Sequence, residues 1–306
     1  DQLSEIFDQI AEAGSASGSR QGGLLGLGTP VLPHIPAHAG DRNRTSPFAF
    51  TGNKFEFRAL GSSQSVSWPA TVLNTIMAES IDELCTVLEG EVGNGASFEE
   101  ALGRLLSEEI RRVRHIVFNG DGYSEEWHHE AERRGLLNLR TTLDALETLP
   151  SEKNLKMFEK YGVLSHRELE SRHEVALDQY FKTVNIEGET SADIASTMVL
   201  PAAVRYLNDL LAAADRSHTL GVDASGVRRT VEAVNSQITD LADALETLRA
   251  QNEELGGDDV HSKAYHMRDH IVPAMAAVRA AVDRLEKTVP DDYWPLPTYR
   301  DMLFVK

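Results

Sequence analysis

The sequence predicts an α+β protein: a short β segment near the N-terminus, then a mainly α-helical body with a long antiparallel helical hairpin. Three observations carry this. Lys54, Phe55, Glu56, Phe57 and Arg58 alternate charged and aromatic residues with the period of a strand. Beyond them the strand period is lost and two Ser-x-x-Glu helix starts appear, at Ser97/Glu100 and Ser165/Glu168. Two apolar stripes at helical spacing then flank Gly256-Gly257. The predicted division is 1–65, holding a helix, a Gly-rich loop and the strand, and 66–306, which is helical with a hairpin at about 224–288 and a tail at 289–306.

Taken in order, Leu3, Ile6, Phe7 and Ile10 give a helix from Leu3 to Ala13 that stops at GSASGSRQGG. The glycines from Gly22 to Gly28 suggest a phosphate cradle only weakly, because no strand precedes them and no GK[ST] follows. Pro30, Pro33 and Pro36 mark an extended connection, and DRNRTSPFAFTGNKFEFR closes on the strand. Pro69 suits the first position of a helix running to about Leu88. The Ser97 box opens a helix to about Val117, shorter helices follow at Glu125 to Arg134 and Thr142 to Leu149, and the Ser165 box opens another. Val227, Val231, Val234, Ile238, Leu241, Leu245 and Leu248 form a coiled-coil seam, and Met267, Ile271, Ala274, Val278, Val282 and Leu285 form the second stripe. Joined by a Gly-Gly turn, they read as an intramolecular hairpin rather than a subunit contact.

Composition narrows the class. A chain of 306 residues with 41% hydrophobic content can form one large or two ordinary domains with a sizeable core. The formal charge of -18 repels nucleic acid and anionic lipid, so neither is an expected partner. The lone cysteine, Cys85, lies in an apolar helical run and reads as a core residue, which excludes a disulfide framework and suits a reducing compartment. No uninterrupted apolar run is long enough to span a bilayer, and the start is not a charged-then-apolar leader. The expected location is cytoplasmic.

Few segments carry chemistry. His266 and His270 stand one helical turn apart, as two metal ligands would, but HExxH is absent and no third ligand is evident. The adjacent His128 and His129 face different sides of a helix and read as surface. No nucleophile with a base and an orienting acid appears, so no hydrolase is indicated. The strand is different. Lys54, Glu56 and Arg58 share one face while Phe55 and Phe57 take the other, the buried one, and Asn43 and Arg44 lie just upstream. Guanidinium groups match carboxylate and phosphate oxygens, and a carboxylate between cations can hold a hard metal ion. The plain alternative is a half-exposed antiparallel strand whose charges pair with its neighbours.

The segments NRTSPFAFTGNKFEFR with GSSQS, PATVLNTIMAE, FNGDGYSEEW from Phe118, GVLSHRELESR from Gly162 and YWPLPTYRDMLF from Tyr293 resemble, in order and over nearly the whole chain, the C-terminal part of a type III glutamine synthetase. That family is much longer, with most of its catalytic sheet before the NRT segment. The chain starts at Asp1 and so reads as a C-terminal fragment: the end of a glutamine-synthetase-like catalytic sheet followed by the helical domain.

The resemblance implies a glutamate–ammonia ligase that uses ATP and Mg²⁺ (or Mn²⁺) to phosphorylate glutamate, after which ammonia displaces phosphate from the glutamyl phosphate. It implies that Glu56 is a ligand of the metal bridging the ATP phosphates, that Arg58 faces the transferred phosphoryl group and glutamate, and that Arg44 contacts nucleotide phosphate. It also implies a homo-oligomer, a dodecamer in related enzymes. The chain departs from the pattern where a second arginine usually follows NR[ST]: Pro47, Phe48, Ala49 and Phe50 stand there, and Lys54 is the candidate to substitute. The remaining metal ligands lie upstream in the family, so this chain alone is expected to be inactive, with its sheet edge exposing Phe55 and Phe57. The competing readings are a non-catalytic helical assembly or regulatory module of the same descent, and an ATP-dependent ligase acting on another amine.

Overall fold

The first helix, α1 (Gln2–Ala13), has the amphipathic spacing noted above and ends just before the glycines. The computed structural model describes residues 2–13, 16, 24–25, 35–36, 48–50, 55–57, 64–118 and 120–303. Among the described residues two antiparallel strand pairs follow α1. Strand β1 (Leu24–Leu25) pairs with β2 (Ile35–Pro36), and β3 (Phe48–Phe50) pairs with β4 (Phe55–Phe57) in the register Phe48↔Phe57, Ala49↔Glu56, Phe50↔Phe55. All later regular structure among the described residues is helical, so what is described is mostly α.

The chain divides into two compact units. One comprises 1–139 and 156–163, the other 140–155 and 164–306. In the first, α2 (Ser67–Gly93) starts two residues before Pro69, which therefore sits inside the first turn, where its missing N–H leaves no intrahelical bond unmade. Helix α3 (Phe98–Val113) opens on the expected capping box: Ser97 Oγ accepts from the Glu100 N–H while the Glu100 carboxylate accepts from the Ser97 N–H. It is shorter than predicted and tightens into a 3₁₀ turn at Arg114–Ile116. Ala101, Leu105 and Ile110 are buried. Ser107 Oγ donates to the Ala11 carbonyl at 2.9 Å, the Arg111 guanidinium donates to the same oxygen, and Arg114 pairs with Asp8 at 3.1 Å, which ties α3 to α1. Helix α4 (Glu125–Arg133) is capped by Ser124.

In the second unit, α5 (Thr142–Leu146) stops three residues short of the predicted Leu149. Helix α6 (Glu152–Lys160) begins here and ends in the first unit. The Ser165 capping box forms and opens α7 (His166–Ile194), which passes through a π-helical turn, Ala195–Val199, into α8 (Leu200–Thr219). After α9 (Ser225–Glu254), helix α10 (Val260–His266) passes through a second π turn, Met267–Ile271, into α11 (Val272–Glu286), and α12 (Tyr299–Leu303) lies near the end of the chain. Both π turns come just before a proline, Pro201 or Pro273. A proline ring clashes with the carbonyl four residues back, and widening the turn relieves that contact while the preceding N–H still finds a partner. Leu200 N–H donates to Ala195 O and Val272 N–H to Met267 O.

Helices α9 and α11 lie side by side. Gln251 O accepts from His266 at 2.9 Å and Arg284 pairs with Asp240 at 2.9 Å, so positions rising along one helix meet positions falling along the other: the pair is antiparallel. Val234, Leu241, Leu245 and Leu248 on α9, and Ala274, Val278, Ala281 and Leu285 on α11, are buried; all but Val234 share one cluster with Val184, Ala192, Val199 and Ala203. The seam is therefore built from three helical rods, with α7–α8 as the third. Val227 and Val231, at the start of the predicted stripe, are only partly buried, and on α11 Ala281 is fully packed where Val282 was expected. The turn uses left-handed residues, Leu255 at φ 52°, Gly256 at φ 77° and Gly257 at φ 134°.

Cys85 is exposed, not in the core. The cause is the orientation of α2. Its side toward the rest of the first unit carries Trp68, which stacks on Phe158 with ring centroids 6.1 Å apart, buried Thr75, and Glu79 and Asp82. An apolar run identifies a helix side, and the packing decides whether that side is covered.

Candidate functional site

Of the four residues predicted to handle phosphate and metal, the described structure contains Glu56. Arg44, Lys54 and Arg58 lie outside the described residues. Glu56 is the middle residue of β4, half-buried and opposite Ala49.

The two phenylalanines beside it correct the first expectation. Phe55 is 58% exposed and Phe57 42%, so in this chain β4 does not bury them. A ladder of three residues per strand gains its hydrophobic stabilisation from a layer laid against it, and among the described residues the β3–β4 sheet contains these two strands alone.

The metal question has a definite answer for the described part. A hard divalent cation takes six or more oxygen ligands, and among the described residues no group of three or more His, Cys, Asp or Glu is gathered to hold one. Glu56 can furnish a single carboxylate, which is not a Mg²⁺ or Mn²⁺ centre by itself. The His266/His270 pair does not make one either: the rings lie 4.9 Å apart, but His266 is buried and its Nε2 is engaged by the Gln251 carbonyl at 2.9 Å. Here His266 is a structural residue of the hairpin end. His128 is likewise engaged, with Asn138 at 3.1 Å.

Two charged clusters went unnoticed in the sequence. Lys160 Nζ reaches Glu79 at 2.7 Å and Asp82 at 2.8 Å, and the Tyr161 hydroxyl donates to both carboxylates. The Lys160 hydrogen bond, aided by Tyr161, holds both acids below the usual carboxylate range, and the acids raise Lys160 above its own. No local signal announces contacts across about eighty positions. In the second cluster the hydrogen bonds of Arg133 and Arg134 lower the Glu130 carboxyl to about 2. Arg134 also donates to the carbonyls of His115 and Val117 and lies over the stacked rings of Phe118 and Trp127, 3.9 Å apart. This locks the ends of the FNGDGYSEEW segment, and the Glu130 spacings of three and four were the visible clue.

In the second unit a cavity of about 370 Å³ lies between α7 and α11, lined by Ala195, Val199, Val278 and Trp294 and rimmed by the Arg279–Asp283 pair.

Comparison with known proteins points in one direction. Residues 101–218 match the family described as glutamine synthetase C-terminal domain. A protein of Dictyostelium discoideum named type-3 glutamine synthetase is 38% identical over 92% of this chain and 39% of its own length. Proteins named glutamine synthetase from Bacteroides fragilis and Butyrivibrio fibrisolvens are 33% and 28% identical, over all and 86% of this chain and over 43% and 38% of their own lengths. The chain thus spans about two fifths of the curated relatives it matches.

Proposed function

Because this chain belongs to the type III glutamine synthetase family and resembles its C-terminal part, we propose that it is the C-terminal portion of an ATP-dependent glutamate–ammonia ligase. The carrying observation is the 38% identity over 92% of the chain to the type-3 enzyme, a span that includes most of the sequence on both sides of Glu56.

In this reading Glu56 supplies one carboxylate to the divalent centre, Mg²⁺ or Mn²⁺, whose other ligands lie outside the described residues. Arg44 and Lys54 hold nucleotide phosphate, and Arg58 faces the transferred phosphoryl group and glutamate. ATP, glutamate and ammonia are the substrates and the assembly is a homo-oligomer in the cytoplasm. The physical reason is charge. Moving a phosphoryl group onto a carboxylate gathers negative oxygens that repel one another, and fixed guanidinium groups offset that repulsion where it is greatest. The antiparallel hairpin serves as a scaffold, since its facing stripes are apolar.

The test is a substitution series in a polypeptide of the relatives' full length. Glu56→Gln keeps the shape and removes the formal charge that a hard cation prefers, so turnover falls and the Mg²⁺ requirement rises while melting is unchanged. Arg58→Lys lowers turnover about a hundredfold by losing bidentate contact at the transferred group, and Arg44→Lys mainly raises the ATP requirement. The 306-residue chain alone forms no glutamine. An unchanged metal requirement at near-normal rate in Glu56→Gln defeats the assignment of that residue, and glutamate-dependent turnover by the 306-residue chain defeats the placement of the other ligands outside it.

A further inference from the structure

The cavity of the second unit has an apolar interior and a charged mouth. Along α11 its residues recur at helical spacing: Met275, Val278 and Val282 are buried or half-buried, while Arg279, Asp283 and Glu286 form the rim. Ala195 and Val199 line it from the π turn that ends α7, and Trp294 and Leu296 line it from the segment after α11. Its volume of about 370 Å³ is within the range of small-ligand sites and far above the voids that a packed interior leaves. This space also explains why Val282, on the predicted stripe, is only half-buried and why Ile194 stays 38% exposed: both line the cavity and not the closed seam. The indole N–H of Trp294 is buried with no hydrogen-bond partner among the described residues, a cost that an acceptor carried by a ligand offsets.

We propose that this cavity binds a small zwitterion with an apolar side chain, the chemistry of a free α-amino acid such as leucine or phenylalanine. The side chain lies among Ala195, Val199, Val278 and Trp294, the carboxylate meets Arg279, and the ammonium meets Asp283 and Glu286. The rim selects that class. Arg279 Nε stands 2.6 Å from Asp283 Oδ1, and Glu286 follows three residues later on the same helix, so a cation and two anions sit side by side at the mouth of an apolar space. A plain carboxylic acid of the same shape meets Arg279 but is repelled by both carboxylates. A plain amine meets the carboxylates and faces an uncompensated guanidinium. A zwitterion pairs with both signs at once while its apolar side chain leaves water. None of these residues enters the ligase reading, so the proposal stands independently of it.

Isothermal titration calorimetry on the 306-residue chain tests this with L-leucine and L-phenylalanine, each beside its analogue lacking the ammonium and its analogue lacking the carboxylate. At least one amino acid is expected to bind one to one, and its two analogues about tenfold more weakly, because each leaves a rim charge unmatched. Val282→Phe fills the cavity from a half-buried position and is expected to abolish binding while the fold melts within a few degrees of the parent. Arg279→Gln, on a side chain that is 77% exposed, is expected to leave melting unchanged, weaken the amino acid about tenfold and erase its advantage over the amine. Absence of binding by both amino acids overturns the proposal. Equal affinity for an amino acid and its two analogues overturns the role of the rim, and with it the zwitterion. Affinity unchanged by Arg279→Gln places the ligand elsewhere and overturns the site, whether or not Val282→Phe folds.

Discussion

Gly256→Ala tests the hairpin turn most directly. Gly256 sits at φ 77°, where an L side chain costs about 1 kcal/mol in backbone strain alone. The larger cost is steric: a Cβ built there lies 2.2 Å from the Cβ of His266 and 3.0 Å from the Ser262 carbonyl, both on α10, so the clash is with backbone-near atoms that cannot swing away. Relief requires α10 to shift, which breaks the His266 bond to the Gln251 carbonyl and opens the buried cluster around Met267. A lost buried hydrogen bond and loosened packing add about 2–3 kcal/mol, for a total of roughly 3–4. In a unit of this size that lowers Tm by about 6–16 °C. Gly90→Ala is the control, since it lies within α2 with nothing near its added Cβ and is expected to stabilise by about 0.5–1 kcal/mol through helix propensity. Circular dichroism melts of the three proteins decide it. A Gly256→Ala variant melting with the parent refutes the close approach of α10 to the turn.

Leu241→Asp places a carboxyl in a fully buried position of the three-rod cluster, at a cost of a few kcal/mol, and urea titration should show the midpoint falling sharply while Leu220→Asp, on an exposed residue, leaves it unchanged. The Glu130 carboxyl, held at about 2 in the folded protein, contributes stability that is fully present above its unfolded value and is lost as pH falls from about 4.5 through about 2. Trp127 fluorescence should therefore change over that window, and Glu130→Gln should remove the change.

Much of the helical plan was legible because helix starts and stops are local. Ser97 and Ser165 announce their helices by a hydroxyl and a carboxylate three residues apart, and Gly256 and Gly257 announce a turn that a side chain would strain. The exposed phenylalanines of β4 were legible only in part. Alternation separates Phe55 and Phe57 from Glu56, but burial depends on whether a layer lies against that face. Glu56, Arg44, Lys54 and Arg58 stand out in the sequence as residue types that suit phosphate and metal, and of the four the described residues include Glu56.

By itself the sequence determined the family, the mostly helical character and the two stripes of the hairpin, all of which follow from residue order and period. The tertiary structure alone decided that Cys85 faces out, because the outward turn of α2 is set by Trp68, Glu79 and Asp82 meeting Phe158, Lys160 and Tyr161 far along the chain. It decided too that His266 is buried with its Nε2 on the Gln251 carbonyl. Periodicity records which residues share a side; which side is covered is a long-range outcome, fixed by the surfaces available to bury it.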